Sequence, residues 1–106
     1  MIIVIIKMNA LPEKSLEVKQ TLLSLIESTR KVKGCLSHDV FKDSENDNGL
    51  SLIEVWESRE DLDGHLQSDT FTLLMGTRYF LSRPLEITMC EVSHSYGWEA
   101  VEAVRG

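Results

Sequence analysis

The sequence predicts an α+β domain whose strands and helical regions follow one another in the order β-α-β-β-α-β. Three observations predict it. A β-branched apolar segment opens the chain, an amphipathic helical pattern follows it, and two alternating segments are joined by a polar loop. The 106 residues fit one domain, residues 1–106. Because hydrophobic residues make up 42% of the chain, it is globular rather than disordered.

The first part of the chain predicts one strand and one long helix. Ile2–Met8 is β-branched and almost continuously apolar, which is typical of a strand buried on both faces. Pro12 suits the first turn of a helix, and from Glu13 to about Val32 the apolar residues gather on one half of a helical wheel. Gly34 then ends the helix. An apolar side this wide is expected to cover a sheet.

The middle of the chain predicts a hairpin followed by a helix. Cys35–Lys42 and Leu50–Trp56 have strand patterns, and the polar loop Asp43–Gly49 between them is rich in residues that favour turns. Ser58 and Asp61 resemble a capping box with aspartate in place of the usual glutamate. A helix is therefore expected directly after the second strand of the hairpin.

The last third of the chain predicts a second helical segment and the fourth strand. Ser68 or Asp69 caps the segment, which decays near Gly76. Leu85 to about Tyr96 has the pattern of the final strand, and the tail after it is expected to be polar or weakly helical.

This order of elements predicts a four-stranded antiparallel sheet with its helices on one face. Two right-handed β-α-β crossovers produce this arrangement, the ferredoxin-like plan. The other face would be left uncovered, although the first and last strands carry apolar residues on both sides. We therefore expect a second copy of the chain to cover that face in a homodimer with twofold symmetry.

Charge and hydropathy exclude several classes of partner. The net charge of −6 argues against nucleic acid and against an anionic membrane, since both need a basic surface. The longest apolar run, Ile2–Ile6, is too short to span a bilayer. No basic residue precedes it, so it is not predicted to be a signal peptide.

The cysteines and the catalytic motifs add few constraints. Cys35 and Cys90 form no CxxC pair and are each expected to be small buried hydrophobic residues within a strand. Nothing indicates an oxidising compartment, so a cytoplasmic location is the default expectation. Motifs for phosphate loops, zinc peptidases and serine hydrolases are absent from the sequence.

Several short blocks carry a resemblance to a known family. These blocks are Gly34–Ser37, Glu54–Leu62, His65–Leu66 and Asp69–Phe71. Together they resemble the antibiotic biosynthesis monooxygenase superfamily, and the likeness extends from the first predicted strand to the last. The resemblance implies a dimeric α+β barrel with a pocket between sheet and helices in each subunit.

The resemblance also implies a range of activities. Members of the superfamily include oxygenases that oxidise quinols or polyketide phenols with O2 and without metal or flavin. We therefore expect a monooxygenase that acts on a small aromatic or quinol-type substrate and needs no cofactor. The alternative is a dimer that binds a small ligand without catalysis, or that is associated with stress.

A third alternative, haem degradation, matches the sequence less well. Asn9 and Trp56 match two residues of the haem-degrading branch, an asparagine after the first strand and a tryptophan that ends the third. The haem-ligating histidine should fall within Gly76–Arg78, where Thr77 cannot ligate iron in its place.

Four residues are candidates for catalysis, and each has an ordinary structural alternative. His38 is the first candidate for the base that deprotonates a phenol, and His65 is the second, because imidazole changes charge near neutral pH. Alternatively, His38 belongs to the core and His65 to a solvated helix surface. Asn9 and Trp56 would hold the substrate ring and the developing oxyanion, or else serve as a loop residue and a core residue.

The predicted pocket has an aromatic and apolar lining. Its residues are Trp56, Phe71, Leu74 and Tyr79. The last three are apolar at helical spacing, which is typical of core first and of a pocket lining second. Glu54 shares a strand face with Trp56, and a carboxylate on a covered face needs a partner. Arg78 or a histidine is expected to supply it, as an ion pair rather than in catalysis.

Overall fold

The computed structural model describes residues 1–106 and contains the four strands in the expected order. The strands are β1 (Ile2–Asn9), β2 (Cys35–Lys42), β3 (Gly49–Trp56) and β4 (Glu86–Glu91). They form one sheet in the order β2-β3-β1-β4, and every neighbouring pair is antiparallel. The prediction of a ferredoxin-like sheet is confirmed.

The helices follow the predicted alternation with one addition at the carboxyl end. They are α1 (Ser15–Arg30), α2 (Arg59–Leu66), α3 (Asp69–Gly76) and α4 (Trp98–Arg105), with short 3-10 turns at Pro12–Lys14 and Thr77–Phe80. None of the helices combines the length and the apolar character that crossing a bilayer requires.

Gly34 links α1 to β2 along the chain and lies against the start of α2 in space. Its φ of +86° lies in the left-handed region that glycine adopts without strain. Its carbonyl accepts a hydrogen bond from the Glu57 N–H at 2.8 Å, and a side chain at this position would collide with Asp61. The Ser58 hydroxyl caps α2 by accepting from the Asp61 N–H at 3.2 Å. This close approach places α2 directly over the end of β3.

The core lies between the sheet and the helices. The residues of the two central strands that face the helices are all buried, namely Ile2, Val4, Ile6, Met8, Leu50, Leu52, Glu54 and Trp56. From α1, Val18, Leu22 and Leu25 pack against them. Leu16 and Leu23, expected on the apolar side of this helix, are instead exposed.

The opposite face of the sheet differs from the expectation. Ile3 and Ile5 are only half-buried, and Cys90 is exposed, so β1 is not buried on both faces and Cys90 is not a core residue. The physical reason is that the helices cover one face of the sheet and nothing in a single chain covers the other.

The last strand is shorter than predicted, because its only neighbour in the sheet ends. Glu91 pairs with Ile2, the first residue of β1, and the Val92 N–H reaches the Met1 carbonyl at 2.9 Å. Beyond that point no strand remains to pair with, so β4 does not continue to Tyr96. The chain then forms a full helix, α4, where only weak helical character was expected.

Candidate functional site

A buried carboxylate lies at the centre of the candidate site. Glu54 is fully buried on β3, and His38 lies directly opposite it on β2. Directly paired residues of antiparallel strands project to the same face, so both side chains point toward the helices. A β-bulge between Cys35 and Ser37 sets this register, and Leu36 is exposed rather than sharing the face of His38.

Three side chains converge on the Glu54 carboxylate. His38 Nδ1 lies 3.1 Å from Oε2, and His65 Nε2 lies 3.5 Å from the same oxygen. The Trp56 indole N–H donates a hydrogen bond to Oε1 at 3.1 Å. The two imidazole contacts are close without being hydrogen bonds, whereas the indole contact is a regular hydrogen bond. We call Glu54, His38, His65 and Trp56 the His-Glu cluster.

The cluster keeps Glu54 ionised. Burial by itself would raise the pKa of this carboxyl, but its contacts with the two imidazoles and the indole outweigh burial and lower the pKa to about 2. A buried negative charge is tolerated only where such groups surround it. The partners are histidines and tryptophan, and Arg78, the other expected partner, lies elsewhere.

His65 connects this cluster to the aromatic residues around it. Its ring stacks on Trp56 with a centroid distance of 4.7 Å, and the Phe71 ring lies edge-on to it at 5.6 Å. His65 is 2% exposed, so the expected alternative of a solvated helix surface is wrong. The reason is that Gly34 and the Ser58 cap hold α2 over the end of β3.

Both histidines have a ring nitrogen that no protein group uses. His65 Nδ1 and His38 Nε2 are buried without a hydrogen-bond partner. Buried polar atoms in native proteins are nearly always paired, so unpaired ones call for an explanation. Each histidine can therefore pair with one further polar group.

An apolar groove lies on the other side of Phe71. It has a volume of about 360 Å³ and runs between α3 and β4. Phe71, Met75, Arg78, Pro84, Leu85 and Ile87 line it. Phe71 therefore separates the groove from His65. His38 lies on β2, at the opposite edge of the sheet from β4, so His65 is the nearer of the two histidines.

The structure separates Asn9 from the His-Glu cluster. Asn9 pairs with Gly49, whereas Trp56 pairs with Ile2, so the two lie at opposite ends of the sheet, roughly 20 Å apart at 3.3 Å per residue. The two ends of the Asn9 amide lie 2.8 Å from the amide of Asn46 and 2.8 Å from the guanidinium of Arg83. The expectation that Asn9 and Trp56 hold one substrate ring together is therefore wrong.

The expected pocket lining is divided between core, groove and surface. Trp56 and Leu74 are buried core residues, and Phe71 lines the groove. Tyr79 is 72% exposed and lies beside Arg78, so its place in the lining is wrong. The 3-10 turn that follows α3 rotates Tyr79 outward. Thr77 faces inward and donates a hydrogen bond to the Leu74 carbonyl at 2.6 Å.

Comparisons with known proteins agree with this fold. A crystal structure of an antibiotic biosynthesis monooxygenase superposes with a TM-score of 0.82 at 26% identity, covering 89% of this chain and 100% of that one. A conserved protein from Methanosarcina mazei Go1 has a TM-score of 0.80 at 33% identity, with coverage of 85% and 90%. The structure of Rv0793 from Mycobacterium tuberculosis has a TM-score of 0.83 at 25% identity, with coverage of 91% and 98%.

One curated sequence relative is the uncharacterized protein sll1783 from Synechocystis sp. It is 29% identical over 85 residues, which cover 79% of this chain and 58% of the relative. The chain thus spans little more than half the length of that protein. The sequence model of the family described as antibiotic biosynthesis monooxygenase matches residues 1–75. With that match over more than half of its length, the chain belongs to the antibiotic biosynthesis monooxygenase family.

Proposed function

We propose that the protein is a monooxygenase that oxidises a small electron-rich phenol or quinol with O2 and needs no cofactor. The substrate lies in the apolar groove between α3 and β4, and His65 is the base. Family membership supports the class of reaction. The groove supports an apolar aromatic substrate, because ligand sites combine an apolar lining with a few polar groups.

The unpaired Nδ1 of His65 carries the proposal. Its other ring nitrogen, Nε2, lies 3.5 Å from the ionised Glu54, which stabilises positive charge on the ring after it takes a proton. Nδ1 is then the atom that accepts the phenol proton. The Phe71 ring must move aside for the substrate to reach it, and catalytic contacts commonly tighten only in the complex.

The proposed reaction converts a phenol and O2 into a quinone and water. His65 removes the phenol proton, and the phenolate transfers one electron to O2. The two radicals join through a new C–O bond at a ring carbon, and the peroxide takes the proton back from His65. Loss of the proton on that ring carbon breaks the O–O bond and releases water. The substrate loses four electrons and O2 gains four, with one oxygen atom in each product.

The first test is oxygen consumption with a panel of phenols and quinols. We expect turnover with small apolar members, and we expect Ile87→Trp to raise KM about tenfold or more, because the larger ring fills the groove. Asn9→Ala is the matched control and should leave kcat/KM unchanged within about twofold, since it lies at the far end of the sheet. The groove is not the substrate site if Asn9→Ala abolishes turnover while Ile87→Trp does not.

A second candidate function is ligand binding without catalysis. The observation that favours it is the burial of both histidines, which are 1% and 2% exposed. The same panel of phenols would then raise the thermal unfolding temperature without any oxygen uptake. Ligand-dependent stabilisation combined with zero turnover would support this candidate and contradict the oxygenase.

We also propose that the protein is a homodimer formed through the sheet face that the helices leave uncovered. Ile5 and Ile53 lie opposite each other on that face and are half-buried in the single chain. Covering them with a second sheet would remove apolar surface from water. Light scattering at micromolar concentration is expected to give twice the mass of one chain.

Ile53→Lys is expected to shift the mass to that of one chain, because a buried lysine without a partner is costly at an interface. Leu23→Lys is the matched control, since Leu23 is an exposed apolar residue on the helical side of the molecule. It should leave the mass unchanged. A wild-type protein that sediments as a monomer would contradict the proposed dimer.

A further inference from the structure

The carboxyl-terminal helix has an apolar side that is exposed in the single chain. No residue of α4 is buried, and Trp98, Val101 and Val104 are 69%, 40% and 88% exposed. These three residues recur at helical spacing on one side of α4. A helix of eight residues is marginal in water by itself, so α4 needs a surface to pack on.

The apolar groove between α3 and β4 is a surface of matching character. Met75 and Ile87 on its walls are 39% and 42% exposed, and Met89 continues the same face of β4 at 40%. β4 is one of the two edge strands of the sheet, and the helices leave its inner face partly open. Exposed apolar residues grouped in this way are typical of a surface that another element covers.

The charges of the two surfaces are complementary. Arg78 lines the groove without a carboxylate partner, and its guanidinium lies 4.9 Å from the ring centroid of the exposed Tyr79. Glu102 makes no ion pair within the chain and lies beside Trp98 on α4, one helical turn away. A helix laid over the groove by its apolar side would bring Glu102 near Arg78.

The direction of the chain places α4 away from the groove of its own subunit. The groove lies at the start of β4, near Leu85 and Ile87, and the chain leaves the sheet at the other end, after Glu91. The segment 92–97 then leads to α4, and no residue of α4 is buried against its own chain.

We propose that α4 of each protomer lies across the open side of the apolar groove of a second copy of the chain. Trp98 and Val101 pack against Met75 and Ile87 of the other protomer, and Glu102 pairs with Arg78. The exchange is reciprocal, as twofold symmetry requires. The groove is therefore incomplete in one chain, and the second copy supplies the wall that keeps water from a ligand bound there. This inference rests on the proposed homodimer but not on the proposed reaction.

A disulfide cross-link between two differently tagged protomers tests the exchange. Both proteins carry Cys90→Ser to remove the exposed native thiol, one carries Val101→Cys, and the other carries Met75→Cys. On mixing and mild oxidation we expect a covalent product containing both tags. Ala103→Cys, on the opposite side of α4, is the matched control in place of Val101→Cys and should give far less of this product.

A charge exchange provides the second measurement. Both proteins of the cross-linking pair carry either Glu102→Arg or Arg78→Glu. Each single substitution should reduce the yield of the cross-linked product, and the two substitutions together should restore it. The exchange between copies is wrong if the single-cysteine proteins do not cross-link on mixing while light scattering still reports a dimer. It is also wrong if a chain carrying both cysteines forms only an internal disulfide. In either case oxygen uptake tests the proposed reaction separately.

Discussion

Replacing Glu54 by alanine is expected to lower the free energy of unfolding by about 3–5 kcal/mol, as measured by urea denaturation. The carboxylate is fully buried and is the common partner of His38, His65 and Trp56. Its removal leaves these three side chains buried without their common acceptor. Glu57→Ala is the matched control, because Glu57 is exposed at the end of the same strand, and it should change stability by less than about 0.5 kcal/mol.

The same carboxylate gives the stability a defined pH dependence. The pKa of Glu54 is about 2 in the folded protein against an ordinary value of 4.5. Between these values the unfolded chain binds the proton and the folded protein does not, so stability rises with pH. The contribution of Glu54 is therefore complete above pH 4.5 and is lost as the pH falls toward 2.

Glu54→Gln should flatten this part of the profile, because glutamine has no proton to gain. Glu57→Gln should keep the wild-type slope. If the wild type and Glu54→Gln lose stability in parallel over this range, Glu54 is not the ionised centre of the His-Glu cluster.

Replacing His65 by glutamine is expected to lower kcat for phenol oxidation by about 10²–10⁴-fold, the usual effect of removing a general base. Glutamine keeps an N–H group that can face Glu54, so the cluster is not left without a donor. The ligand should still raise the unfolding temperature, since the walls of the groove are unchanged. Oxygen electrode assays and thermal shifts on the same preparation separate the two effects.

His38→Gln is the matched control for this experiment. His38 touches the same carboxylate oxygen from the other side, at 3.1 Å, but lies across the sheet from the groove. A smaller loss of kcat is expected, in proportion to the change in stability. If His38→Gln abolishes turnover and His65→Gln does not, the first assignment from the sequence, His38 as the base, is the correct one.

The candidate site could be predicted from the sequence only in part. Alternation placed Glu54 on the face of β3 that carries Trp56, which already indicated a buried carboxylate in need of a partner. The choice between Arg78 and a histidine depended on the register of β2 against β3 and on the position of α2. Neither follows from a local pattern. The register depends on the bulge at Cys35 in the pairing of β2 with β3, and the position of α2 depends on the contact between Gly34 and Asp61.

The positions of Asn9 and Tyr79 differ from those that the sequence predicts. Asn9 matched a family position in order along the chain, but antiparallel pairing carries it to the end of the sheet away from Trp56. Tyr79 had the spacing of an inward residue on a continuous α-helix. The helix tightens into a 3-10 turn at Thr77, where the angle per residue changes, and Tyr79 projects into solvent.

The sequence by itself determined the order of the elements, the sheet plan and the resemblance to the family. These depend on hydrophobic period, caps and turn residues, which act over a few positions of the chain. Only the tertiary structure decided that His65 is buried, that it shares Glu54 with His38, and that Phe71 separates it from an apolar groove. Such relations arise when segments far apart in sequence pack together, and the packing, not the local pattern, sets their distances.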